Sequence, residues 1–311
     1  MGVLQIRLFG RVRVAYDDGA EVRMTPTAQT LLAYLLVQRT YCPRDVLACL
    51  CWGDQPDDQA RGCLSTALWR LRRSLETDEV PHGAYLLTTT TGEVGFNWES
   101  RHWLDLSTFE HEVKRVLALP PEALDPSHAS SLQNALGLYT GDLLEGFYDD
   151  WVLRQRERVR TMYLDSLSRL MCYHHSRGAH EESIAAAQKI LACDPLREEI
   201  YRELMRLYLK TGQRALAVRQ FKICRDVLAD ELGIPPMEET EALYHQIMQD
   251  ANEPHGGLGG VPVPAPLPQA LTTLRQAMQE FDLARSQLQR AIHLVERLTE
   301  SSPAGPKVRP R

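Results

Sequence analysis

Residues 58–75 read DQARGCLSTALWRLRRSL. Wound as a helix, the stretch puts Leu64, Leu68, Leu71 and Leu75 on one face and leaves Arg61, Thr66, Trp69, Arg70 and Arg73 outside it. Such a helix holds on one side and reads on the other. Between Gln59 and Leu75 stand four arginines and no acid, in a chain whose formal net charge is -6. Local basicity on an acidic protein points to a DNA-facing surface, because phosphates respond to concentrated guanidinium groups and little to a distant net charge.

Working outward, Val3, Leu4, Ile6 and Leu8, then Val12 and Val14, then Val22 and Met24 predict three short strands, with Asp17-Asp18-Gly19 as a turn. The chain opens on a small antiparallel sheet. Thr25 followed by Pro26 is an N-cap with proline at the first helical position, and Leu31, Leu32, Leu35 and Leu36 give the helix its apolar stripe. A second short helix runs from Arg44 to Trp52 and stops at Gly53, and the Asp57-Asp58 region caps the third. Tyr85 to Thr90 and Glu93 to Trp98 read as a hairpin around Thr91-Gly92. Three helices followed by a β-hairpin make a winged helix, and the preceding sheet makes it resemble the OmpR/PhoB-type variant. The Leu-rich first helix, Arg44-Asp45-Val46-Leu47, Cys51-Trp52-Gly53-Asp54, the run from Leu68 to Leu75 and the hairpin occur in that family's order.

In that fold the third helix lies in the major groove and the wing touches flanking backbone or minor groove. Arg61, Ser65, Thr66, Trp69 and Arg70 are then expected at or near bases, and Arg72 and Arg73 at phosphates, since arginine bridges guanine edges or grips backbone oxygens. Trp69 has a competing reading as a residue packed on the wing or sheet. Thr88, Thr89, Thr90 and Thr91 carry hydroxyls suited to phosphates, and equally suit a β-prone hairpin.

From about Arg101 the texture changes to amphipathic helices. Gly178 and Gly212 stand 34 residues apart, and around them Leu170 matches Leu204, Ile184 matches Val218 and Ile190 matches Cys224. That period is the tetratricopeptide one, with helices at 163–176 and 181–192, then 197–211 and 214–228. Such pairs bury their apolar faces only by stacking. The landmarks Leu138-Tyr139, Gly141-Asp142-Leu143-Leu144, Gly146, Asp150-Trp151, Asp194-Pro195-Leu196-Arg197-Glu198 and Glu231-Leu232-Gly233-Ile234-Pro235-Pro236 resemble the bacterial transcriptional activator domain. A winged helix joined to this domain is similar to the antibiotic regulatory protein (SARP) family of bacterial activators, over residues 3 to 250. The resemblance implies sequence-specific binding to double-stranded promoter repeats and recruitment of RNA polymerase holoenzyme through its sigma subunit and neighbouring subunits. The helical repeats are a surface for a peptide, another protomer or a small effector.

Residues 252–268, NEPHGGLGGVPVPAPLP, form a linker, flexible first and stiffer later. Beyond it Leu271, Leu274, Met278, Phe281, Leu288, Ile292 and Val295 take the apolar seam positions of heptads over 269–300, with Arg285 breaking the seam. A coiled coil between copies would hold two winged helices over tandem half-sites; a helix folded back on its own repeats is the other reading. Residues 301–311 are basic, proline-rich and expected to be disordered.

The expected fold is thus mainly α with a small β component. A winged helix-turn-helix spans 1–100 and a tetratricopeptide-like domain 101–251, followed by linker, amphipathic helix and tail. Seven cysteines without a C-x-x-C pair argue against a disulfide framework and for buried free thiols. Cys42, Cys49, Cys51 and Cys63 would hold zinc or an iron–sulfur cluster only if the fold gathered them, and Cys49 and Cys51 point to different helix faces. Cys172, His174, His175 and His180 crowd one repeat turn, but adjacent helical histidines diverge. No metal or cofactor is expected. No span of membrane length and no signal peptide is visible, which predicts a cytoplasmic protein. No catalytic constellation or phosphate loop stands out, which argues against an enzyme. A protein-binding scaffold is opposed by the acid-free third helix, and a repressor would share the same DNA contacts.

Overall fold

A computed structural model of the chain describes residues 2–76 and 80–249. These lie in one compact unit, 1–253. In chain order its elements are β1 (Leu4–Arg7), β2 (Arg13–Tyr16), α1 (Pro26–Gln38), α2 (Arg44–Trp52), α3 (Asp57–Leu75), β3 (Leu86–Thr88), β4 (Val94–Phe96) and β5 (His102–Leu104). The helical part follows as α4 (Asp105–Leu117), α5 (Pro126–Leu136), α6 (Asp150–Ser176), α7 (His180–Cys193), α8 (Glu198–Lys210), α9 (Arg214–Leu232) and α10 (Glu238–Gln249). The linker, the seam from Leu271 to Val295 and the final tail lie outside the described residues.

The mainly helical fold with small sheets is the one the sequence predicts. Thr25 accepts from the Ala28 N–H and Pro26 opens α1, whose Leu31, Leu32, Leu35 and Leu36 are fully buried. Leu64, Leu68, Leu71 and Leu75 anchor α3 to the same core. Each such side chain contributes about 1.5–3 kcal/mol by leaving water. Asp57 and Asp58 make no capping hydrogen bond; they sit in the first turn of α3, where they complement the helix dipole.

The N-terminal sheet differs from the expected one. β1 and β2 pair antiparallel with Ile6 opposite Val14, but Glu21 reaches only a single bridge to Ala15 before the chain turns into α1. The third strand is β5, parallel to β1, with Ile6 opposite Leu104. The reason is Asp105. Its buried carboxylate, at the start of α4, accepts from the Leu8 N–H at 2.8 Å and the Phe9 N–H at 3.0 Å. Burial pushes this carboxyl above its ordinary value, against the lowering effect of the Phe9, Leu8 and Leu106 amides.

The line of β1 then continues into the helical part. Phe9 bridges Leu143, the Gly10 N–H donates to the Asp142 carbonyl at 2.9 Å, and the Leu144 N–H donates to the Leu8 carbonyl at 2.8 Å. Nearby, buried Glu110 receives Arg39 from the end of α1, Lys114 from its own helix and Arg158 from α6. Tyr34 meets Trp151 edge-on at 5.1 Å. The first repeat helix therefore starts at Asp150, well before the expected 163, because Trp151, Val152 and Val159 are buried in the shared core. Gly178 and Gly212 both take φ of +73°, a conformation that favours glycine, and each ends a helix before its partner begins.

Candidate nucleic-acid interface

The face of α3 opposite its leucines is open. Arg61, Gly62, Ser65, Thr66, Trp69, Arg70 and Arg73 are exposed, and Arg72 is half-buried. Trp69 is 57% exposed, so it is no core residue, and the Arg73 guanidinium carbon stands 5.3 Å from its ring centre. That contact aligns a cation with a flat apolar surface on the outward ridge.

Each flank of α3 carries a groove. One, between α3 and the start of α2, is lined by Arg44, Ser65, Trp69, Arg72, Arg73 and His82. Arg44 donates to the Ser65 hydroxyl at 2.9 Å, and Ser65 donates to the Arg61 carbonyl. Glu76 also lines this groove, but its carboxylate accepts from the Gly83, Tyr85 and Leu86 amides at 3.0–3.1 Å. Those bonds fix how the chain leaves α3 for the wing. The other flank is lined by Thr25, Thr27, Gln59, Gly62, Thr66 and Arg70.

Arg61 is held differently from the rest. Its Nε donates to Asp45 Oδ1 at 2.9 Å, and that hydrogen bond, then the charges of Asp45, Asp57 and Asp58, raises its guanidinium above the ordinary value. Both partners are exposed, so the pair contributes little to stability.

The wing is β3 and β4, with Leu86 opposite Phe96, and Cys42 adds a short third edge through two backbone bonds to Val94 of 2.8 and 2.9 Å. Of its threonines, Thr88 accepts from Arg72 at 2.7 Å. Thr89 and Thr91 share a hydrogen bond of 2.7 Å and also engage Glu93, closing the turn. Thr90 is exposed and has no hydrogen-bonded side-chain partner among the described residues.

Sequence reasoning passed over Arg44 and His82. Arg44 was findable as the first residue of the second helix, the place where a helix-turn-helix crosses backbone. His82 gave no such signal. Elsewhere, no three His, Cys, Asp or Glu side chains among the described residues are grouped to hold a metal ion. His175 instead bridges Glu203 and Lys210, at 2.7 Å to each. Burial pushes the Cys51 thiol up to about 11. No described helix is long and apolar enough to cross a membrane.

Comparison with known proteins adds three findings. Residues 104–248 match the bacterial transcriptional activator domain family, beginning at the last residue of β5. The chain is 28% identical over 251 residues to the regulatory protein AfsR of Streptomyces coelicolor, and 26% identical over 262 residues to the transcriptional regulatory protein MoaR1 of Mycobacterium tuberculosis. Each alignment covers 80% of this chain; it spans 24% of AfsR and 80% of MoaR1. The chain thus spans about a quarter of the length of the AfsR proteins it matches. Among solved structures, Mycobacterium tuberculosis EmbR, determined with a low-affinity phosphopeptide, superposes with a TM-score of 0.63 at 21% identity, covering 91% of this chain and 72% of that one.

Proposed function

The chain is of the SARP type, a winged helix joined to a bacterial transcriptional activator domain, and from that premise we propose that it is a sequence-specific DNA-binding regulator of transcription. One observation carries the reading: α3 exposes Ser65, Thr66, Trp69, Arg70 and Arg73 along a stretch with no acidic residue after Asp58, while its leucines hold it in the core. Ser65, Thr66 and Trp69 stand on the ridge that would meet base edges, with Arg61 and Arg70 on its flanks. Arg73, Arg72 and Arg44 supply charge beside the ridge for phosphates, and Thr90 offers the wing an outward hydroxyl.

The description of the matched family, a bacterial transcriptional activator domain, supports activation in particular, and the partner we infer for such an activator at a promoter is RNA polymerase. The backbone hydrogen bonds that tie Leu8 and Gly10, just past β1, to Asp142 and Leu144 support it physically, since a recruiting surface on the helical part would be carried at a fixed place relative to α3. The amphipathic seam from Leu271 to Val295 would join two copies over tandem half-sites.

Selection of bound duplexes from a random pool by the full-length protein tests this. A repeated motif, spaced near one helical turn, is the expected outcome. Recovery of no motif would transfer the function to the repeat surface and a protein partner.

A further inference from the structure

A groove runs between α3 and the first turn of α1. Thr27, Gln59, Gly62, Thr66 and Arg70 line it, and no acidic side chain does, whereas Asp45 and Asp57 line the neighbouring hollow by α2. Among the described residues, no hydrogen bond or ion pair engages the Arg70 guanidinium, the Gln59 amide or the Thr27 hydroxyl. Thr25 Oγ1 accepts from the Ala28 N–H and so keeps its own proton to donate. Apart from Thr66, whose hydroxyl donates to the Gly62 carbonyl at 3.2 Å, the groove thus presents idle donors around one cation.

Gly62 is a second, independent observation. Glycine inside a helix is destabilising relative to alanine, yet a Cβ at Gly62 would meet nothing within 4 Å. Nothing in the packing requires glycine there; what its bare backbone does is keep the groove open.

We propose that this groove binds the phosphodiester backbone of the DNA strand opposite to the one held by Arg44 and Arg73. The inference rests on the DNA reading and deepens it. A major groove is about 12 Å wide and a helix with its side chains about 10 Å across. A seated α3 therefore sets its two flanks against opposite strands, each with its own donors.

The test uses the full-length protein and a selected duplex in which single phosphates, on each strand in turn, are replaced by neutral methylphosphonates. Wild type loses affinity at phosphates on both strands. The Thr27→Val, Gln59→Ala double variant is expected to weaken binding about fivefold or more, on the scale of a hydrogen bond or two, equally on selected and random duplexes. It should erase sensitivity on one strand only, and Arg44→Ala on the other. Gly62→Leu points into open space and should block the same strand as the double variant without lowering the melting temperature, which separates the result from misfolding. Unchanged sensitivity on both strands in the Thr27/Gln59 and Gly62 variants, with Arg44→Ala still active, overturns the inference and leaves DNA binding standing. Failure of wild type to bind any duplex overturns both.

Discussion

The Arg72 guanidinium on α3 and the Thr88 hydroxyl on β3 are joined by a hydrogen bond of 2.7 Å, a side-chain contact that ties α3 directly to the wing. Arg72→Ala is expected to loosen the wing, with a loss of about 1 kcal/mol in stability, since the bond is charge-assisted but partly solvated. Hydrogen exchange at the β3 and β4 amides should accelerate, while amides within α6 to α9 stay protected.

Asp105 should be the most costly single position at the junction. Asp105→Asn replaces one carboxylate oxygen by an NH2, and of the Phe9 N–H on Oδ2 and the Leu106 N–H on Oδ1 at least one then loses its acceptor. The expected loss is about 2–3 kcal/mol, read by denaturant unfolding. β5 should lose exchange protection together with β1.

Tyr16 gives a pH signature. It donates to the Leu75 carbonyl at 2.5 Å, and burial first, then the neighbouring Tyr85, pushes its phenol up to about 12 from an ordinary 10. The folded value is the raised one, so the stabilisation is full below pH 10 and is lost as pH climbs through 12. Tyr16→Phe should cost about 1 kcal/mol at neutral pH. The gap between variant and wild type should close across that alkaline window, as followed by thermal unfolding.

Gly62 separates stability from binding. Gly62→Ala should stabilise the fold by about 0.5–1 kcal/mol, the ordinary helix-interior difference, because the added methyl meets no neighbour. A fall in melting temperature would contradict the open space seen there.

Much of this was legible in the chain, and the parts that were not share a cause. The leucine face of α3, the Thr25-Pro26 start of α1 and the glycine-ended repeat helices depend on local periodicity and capping, which a sequence carries openly. The third strand of the first sheet was misplaced because its true occupant, His102–Leu104, is distant in sequence and is held by the Asp105 carboxylate. The true start of α6 depends on Trp151 and Val152 finding the shared core of the N-terminal part, again a tertiary fact. At the interface, the outward set on α3 followed from the helical period. The engagement of Arg61 by Asp45 and of Arg72 by Thr88 depends on side chains brought from other elements, and no spacing announces it.

The most direct measurement is the affinity of the full-length protein for its selected duplex and for a scrambled one across a salt series, in wild type and Arg73→Ala. A sequence-specific reader should prefer the selected duplex at every salt concentration, with log affinity falling linearly as log salt rises. Arg73→Ala should weaken both duplexes alike and reduce the slope by about one. Equal affinity for the two duplexes, or a slope unmoved by the loss of Arg73, would contradict the assignment of α3 as the DNA-reading element.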